Sequence, residues 1–277
     1  MLYPSNYVNK IINRIIWVTQ KNIEAEENWA LKKEELEKKI RKNSSYMDKI
    51  NKAKSISIWI FIIPFLAINI CLILITQFHG LFPNQEDIVH NSLWPYLDGG
   101  LSISRAARPY PAWLIFKPAM FLTSFLLIKY WLLNKEIIMN FQKDHKYIKK
   151  ILFFGISSAI FLTLHSIFLG IKFDNDLYKL FRRVVMLSFI IFELVAQAYL
   201  VLTLYSIKDK LINLINQKIL KIKLFLVSSL VLIAVVSIPI VSIPGNKHFK
   251  HALEWDFFIG VISFYLLTFF MWKNKKN

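Results

Sequence analysis

Cysteine is nearly missing from this chain of 277 residues. Cys71 stands alone, so no disulfide can close within the chain and no multi-cysteine metal site can be built. Familiar catalytic signatures are missing too: there is no P-loop, no G-x-S-x-G and no H-E-x-x-H. The 6 histidines include no pair four apart within an apolar stretch, which leaves a membrane metal or haem site without support. No metal or cofactor is therefore expected. A retinal-type Schiff base would need a lysine deep in a late span, and none is read there. No polar stripe or filter-like loop suggests a channel. The first fifty residues lack an apolar core followed by small residues, so a cleaved signal peptide is not expected and the first apolar stretch reads as a signal-anchor. No internal repeat is visible.

What is present is hydrophobic: 55% of the chain, with 23 Phe and 8 Trp, which is too apolar for a water-soluble domain of this length. Six stretches carry most of it: Ser57–Gln77, Ala112–Leu133, Ile151–Ile171, Val184–Tyr205, Leu224–Val241 and Leu253–Trp272. Each approaches the ~20 apolar residues that a helix needs to cross a bilayer. The N-terminal arm, the connections after the second and fourth stretches, and the tail together hold 25 Lys and Arg. The other three connections hold 8. The positive-inside rule then predicts an all-α polytopic membrane protein of six transmembrane helices with both termini cytoplasmic. The net charge of +17 follows the predicted cytoplasmic ends of the spans, where anionic headgroups account for it. No nucleic-acid motif accompanies it, and no nucleic-acid partner is expected. The abundance of Lys, Ile, Asn and Phe suggests an AT-rich, bacterial source and hence a bacterial inner membrane.

Residues 1–55 differ in kind from the bundle at 56–277. Ile11, Ile12, Ile15 and Val18 recur at helical spacing among Lys10, Arg14 and Trp17, as in a basic helix lying at a membrane surface. The charged run Glu24–Lys42 places Glu34–Lys38 and Glu35–Lys39 in the favourable i,i+4 order. Trp29, Leu36, Ile40, Met47 and Ile50 trace a heptad that Lys33 and Asn43 break, which favours a solvated or loosely docked helix over a coiled coil. Such an arm offers a docking surface for a cytoplasmic protein. The segment 78–111 is far longer than an ordinary loop and falls on the exoplasmic side. Its Trp94, Pro95, Tyr96, Gly99, Gly100, Pro109 and Pro111 suit an ordered cap.

Ionisable groups at bilayer depth are costly, so each asks for a reason. Glu193 lies near the middle of the fourth stretch with Gln197 one turn away on the same face. His165 and Ser166 occupy the outer half of the third, Asn69 that of the first, and Lys117 lies about five residues into the second. Glu254 and Asp256 open the sixth. The predicted cytoplasmic half is nearly bare by comparison, and that asymmetry points to a site. Polar side chains also join membrane helices without binding anything, at ~0.6–2 kcal/mol per contact, and a Glu193–His165 clamp would do this equally well. Arg182 and Arg183 suit either a phosphate or pairing with Asp174 and Asp176.

Trp94–Gly100 reads WPYLDGG, Pro111–Phe125 reads PAWLIFKPAMFLTSF, and the last stretch reads EWDFFIGVISFYLLTFF from Glu254. Together these resemble the PY-I-S-D-T-G … P … F passage and the closing EW-x-x-x-F-x-x-Y-x-L-T-F pattern of the FRAG/DRAM/SFK family. That family comprises six-span proteins that include the damage-regulated autophagy modulators and proteins of GPI-anchor lipid remodelling. The resemblance covers about residues 57–272. It implies cytoplasmic termini and a long first exoplasmic loop, and carries over Tyr96, Asp98, Gly99, Glu254 and Trp255. The arm departs from the family core, and Leu101–Pro109 reads as an insertion. No catalytic mechanism comes with the family.

The resulting expectation is recognition or remodelling of a lipid or glycolipid headgroup from the outer leaflet. Lys117 with Arg105 or Arg108 would meet phosphate, and Asn69, Tyr96, Asp98, Gln197 and Glu254 would complete a site floored by Glu193 and His165. A lipid acyl-transfer enzyme with His165 as general base and Glu254 or Asp256 as its acidic partner is the first alternative. A membrane-anchored scaffold acting through the arm is the second.

Overall fold

The computed structural model describes residues 5–84, 94–171, 175–243 and 245–273, with side chains at 5–9, 11–13, 15–16, 18–19, 22–23, 39–43 and 241–242 left outside the description. The periodic Ile11, Ile12, Ile15 and Val18, the Ile40 and Asn43 of the broken heptad, Lys39 and Asp174 thus fall outside it. The described chain is helical: α1 (Ser5–Gln77), α2 (Pro95–Asp98), α3 (Ile103–Ala107), α4 (Ala112–Phe141), α5 (Ile148–Phe168), α6 (Asp176–Ser206), α7 (Gln217–Ser242) and α8 (Lys247–Met271). Among the described residues six helical segments are long and apolar enough to cross a membrane: Ser44–Gln77, Ala112–Phe141, Ile148–Phe168, Asp176–Ser206, Gln217–Ile240 and Lys247–Met271. Helices are expected there, because hydrocarbon offers backbone N–H and C=O groups no other partner.

Two compact units divide the chain, Met1–Asp48 and Lys49–Asn277. In the first, Trp17, Trp29, Leu31 and Leu36 are exposed. Its contacts are short-range along one helix: Glu34 and Lys38 pair at 2.6 Å, and the Lys21 and Lys33 ammonium groups lie 5.6 and 5.3 Å from the Trp17 and Trp29 rings. Such exposed i,i+4 contacts contribute a few tenths of a kcal/mol each.

In the second unit, sequence neighbours α4–α5, α5–α6, α6–α7 and α7–α8 pack in turn. Short polar caps start several helices. Asn175 Oδ1 accepts from Leu177 N at 2.9 Å for α6, and Asn216 Oδ1 from Lys218 N at 3.0 Å for α7. Such caps contribute ~1 kcal/mol each. Both helices begin before the apolar stretches do, so Lys179, Arg182 and Arg183 ride on the first turns of α6 and Lys223 on the second turn of α7. Close approach of α4 and α5 depends on Gly155, where a Cβ would meet the buried Trp131 indole at 2.4 Å. After α8 the chain returns to the α6–α7 connection through an antiparallel bridge, Ile215 to Trp272, the one element of strand pairing among the described residues. Pro64 stands inside α1, where it withholds an N–H from the carbonyl of Ile60.

Between α1 and α4, the described residues of the long connection are ordered into a 3-10 turn (His79–Leu81), α2 and α3. α2 rests on the start of α8, and the two motifs behind the family resemblance meet there. The Tyr96 and Trp255 rings pack edge to face with centroids 4.8 Å apart, and Trp255 Nε1 donates to Leu101 O at 2.7 Å. His248 Nδ1 and His251 Nδ1 lie 3.2 and 2.9 Å from the carbonyls of Asp98 and Gly99, so both must present N–H there. Gly99 adopts φ +59° and comes so close to His248 that a Cβ would meet its carbonyl oxygen at 1.8 Å.

Candidate functional site

Glu193 is the best-bonded ionisable group in the bundle. Its carboxyl is buried at 1% exposure, and three elements supply partners. Ser158 on α5 donates to Oε2 at 2.6 Å, Gln197 on α6 donates to Oε1 at 3.0 Å, and Tyr265 on α8 donates to Oε1 as well. Gln197 also donates to Val261 O at 3.1 Å, tying α6 to α8. The expected His165 partner is not used. His165 stands seven residues beyond Ser158 on α5, ~10 Å nearer the helix end, because α6 enters the bundle earlier than its apolar composition indicates and carries Glu193 to the level of Ser158.

Beside this cluster lies an apolar cavity of about 100 Å³. Pro64 of α1, Phe116 and Met120 of α4, Leu162 of α5, Phe189 of α6 and Phe257 of α8 line its walls, while Glu193 and Tyr265 give it a polar spot and His165 and Glu254 belong to its lining too. His165, Met186 and Glu254 also border a second, wider space of about 710 Å³. Arg108, Lys179, Arg182 and Arg183 surround that one. A basic vestibule therefore shares a wall of three side chains with an apolar interior.

Within the vestibule the cations are unequally engaged. Lys179 pairs with Asp176 at 3.0 Å, one of the two carboxylates expected as partners for the arginines, and the other, Asp174, lies outside the described residues. Arg108 donates to Ser104 Oγ at 3.2 Å. Arg182 has its Nε buried with no acceptor among the described residues, its guanidinium 5.9 Å from the Tyr178 ring. A buried guanidinium N–H without an acceptor is ready for an incoming oxyanion.

The remaining sequence candidates scatter. Tyr96 donates to Asn69 Oδ1 at 3.0 Å, and burial pushes its phenol above the ordinary value, so it stays a donor; this pair latches the cap to α1. Asp98 accepts from Gly100 N at 2.7 Å and so shapes the turn. Arg105 is exposed and lines neither space. Lys117 Nζ lies 3.4 Å from Ile167 O and 5.3 Å from the Trp113 ring, also away from both. Asp256 is exposed and, two residues from Glu254, points to a different face of α8.

Sequence reasoning missed a second cluster. Lys223, counted among connection cations, is buried at 0% exposure on α7. Its Nζ donates to Thr268 Oγ1 at 2.7 Å and sits 3.8 Å from the Phe264 ring centroid. Thr268 donates to Phe264 O at 2.9 Å, so the Tyr130 hydroxyl, 3.3 Å away, is the donor in its contact with Thr268. This end of the bundle is thus not bare, and a late span does hold a deep lysine. Only its position six residues into a span that begins at Gln217 could have revealed it.

Comparison of the chain with protein-family models, curated proteins and solved structures returns no match.

Proposed function

We infer that the bundle binds an anionic lipid, or the charged glycan of a lipid, taken from the outer leaflet, with both termini cytoplasmic and the protein in a bacterial inner membrane. The observation that carries this reading is the pairing of a basic vestibule, containing Arg182 whose buried Nε has no acceptor among the described residues, with an apolar cavity across a shared wall. An amphiphile needs that combination: charge-assisted hydrogen bonds for its head and an apolar, concave surface for its chain. On this reading the chain is a six-span protein of the kind that the FRAG/DRAM/SFK resemblance implies, with Tyr96 of the WPYLDGG motif packed against Trp255 of the closing motif.

Two measurements test it. Reporter fusions at Lys143 and Asn213 should read cytoplasmic and a fusion at Asn246 exoplasmic; the reverse pattern would turn the vestibule to the inner leaflet. In nanodiscs, replacing Arg182 by Gln should weaken binding of phosphatidic acid by about tenfold while leaving phosphatidylcholine association unchanged, a loss typical of one charge-assisted hydrogen bond. Equal affinities of wild type and Arg182→Gln for phosphatidic acid would refute headgroup recognition at this site.

A second reading, acyl transfer on a lipid, is favoured by one observation: His165 and Glu254 border the same cavity. Asp256 takes no part in it. His165→Gln should abolish turnover in that case and leave binding nearly intact if the bundle only binds. Action through the arm is separable as well, because deleting residues 1–48 would then remove all phenotype.

A further inference from the structure

At the end of the bundle away from the cap, α1 and α4 border a groove of about 520 Å³ that shares no residue with the vestibule or the apolar cavity. Each wall is one helical face. Lys52, Ser55 and Ile56 follow the i, i+3, i+4 spacing on α1, and Lys129, Leu132, Leu133 and Glu136 do so on α4. Lys49 pairs with Glu136 at 2.8 Å, which ties the two walls and engages the one carboxylate in the lining. Lys129 is the costly member. It is exposed and lies seven residues, ~10 Å, deeper along the span than Glu136. Its ammonium rests on the ring of Phe125, one turn deeper still, 4.3 Å from the centroid. Among the described residues it makes no ion pair and no hydrogen bond. Phe125, Leu122 and Leu132 around it are exposed as well, so this face of α4 is the one that acyl chains meet. A side chain escaping to the headgroups would extend the other way, toward Glu136. A cation kept at that depth beside lipid asks for an anion to reach it.

We propose that this groove holds an anionic phospholipid of the leaflet opposite the cap, its phosphate between Lys129 and Lys52 and one acyl chain along Leu132 and Phe125. Cys71 donates to Ala112 O at 3.3 Å near the cap, and Lys49 pairs with Glu136 at the other end, so α1 and α4 run antiparallel. Counted inward from the Lys49–Glu136 pair, Lys52 is three residues away on α1 and Lys129 seven on α4, ~4.5 and ~10 Å. The two ammonium groups thus enter from opposite walls at levels ~6 Å apart, a gap that two flexible four-carbon stems close around one phosphate. Ser55, one turn inward of Lys52, adds a hydroxyl donor at the level of Lys129. Charge also sets the headgroup. A phosphatidylglycerol brings one negative charge to two lysines, whereas the choline of a zwitterionic lipid would add a third cation. The site stands apart from the vestibule and does not rest on what binds there.

Native mass spectrometry of the protein released from micelles with equal amounts of phosphatidylglycerol and phosphatidylcholine tests it. Arg182→Gln serves as the background, so that the vestibule does not contribute. In that background Lys129→Gln should weaken binding of the first phosphatidylglycerol about tenfold, as expected for one charge-assisted contact, and leave phosphatidylcholine adducts unchanged. Lys129→Arg, which keeps the charge, should retain most of the affinity. An unchanged phosphatidylglycerol affinity in Lys129→Gln overturns the proposal, and so does an equal loss of both lipids. Should Lys129→Gln not fold, Lys52→Gln on the opposite wall takes its place, with the same selective loss expected and the same two results refuting it.

Discussion

Replacing Glu193 with leucine is expected to destabilise the bundle by about 3 kcal/mol, against a few tenths for Ile191→Leu two positions earlier on the exposed face of α6. The carboxyl accepts from Ser158, Gln197 and Tyr265, and leucine accepts from none. Two of those donors have a second acceptor at hand: Ser158 is 2.8 Å from Gly155 O and Gln197 is 3.1 Å from Val261 O. Tyr265, 1% exposed, has no second acceptor among the described residues and carries most of the loss, since a stranded buried donor costs ~1–3 kcal/mol. The double variant Glu193→Leu, Tyr265→Phe should then be more stable than the sum of the singles predicts, because an apolar pair strands nothing. Denaturant unfolding in detergent micelles measures the wild type, the three single variants and the double variant. Equal stabilities of Glu193→Leu and Ile191→Leu would remove the case for Glu193 as the polar centre of the bundle.

Gly99→Ala is expected to release the cap. The left-handed conformation at φ +59° by itself costs alanine ~1–2 kcal/mol. Worse, the added methyl would lie 1.8 Å from the carbonyl oxygen of His248, a backbone atom on α8 that cannot swing aside as a side chain can. The contacts holding α2 to α8, Trp255 to Leu101 O and the two histidines to Asp98 O and Gly99 O, must stretch together. Protease cleavage within 100–110 should accelerate by tenfold or more, the equivalent of ~1.4 kcal/mol in the open population. Gly80→Ala is the control, because nothing lies within 4 Å of its missing Cβ. A cap that resists protease equally in Gly99→Ala would mean that α2 does not depend on that approach.

The six long helices were legible because length and apolarity alone decide which segments can cross hydrocarbon. Glu193 with Gln197 was legible because a carboxylate and an amide one turn apart inside such a segment have few bland explanations. Their partners were not. Serine and tyrosine occur in many spans without consequence, and nothing in the spacing of Ser158 or Tyr265 marks them as facing α6. His165 was misassigned for a geometric reason: the α5–α6 connection fixes which helices are neighbours but not their relative depth, and α6 starts at Asp176 rather than at Val184. Lys223 was lost among Lys218 and Lys221, since composition cannot separate the last cation of a connection from the first one inside a helix. Arg182 was recognised as ambiguous, and of its two candidate partners Asp176 pairs with Lys179 while Asp174 lies outside the described residues.

Pro64 has a mechanical consequence. It lines the apolar cavity together with Ile60, the residue whose carbonyl it deprives of a donor. Bending α1 at that turn therefore breaks no main-chain hydrogen bond, whereas bending elsewhere along a regular helix does. The compliant hinge of the bundle's first helix therefore coincides with a wall of its cavity, so the volume of that cavity and the bend of α1 change together.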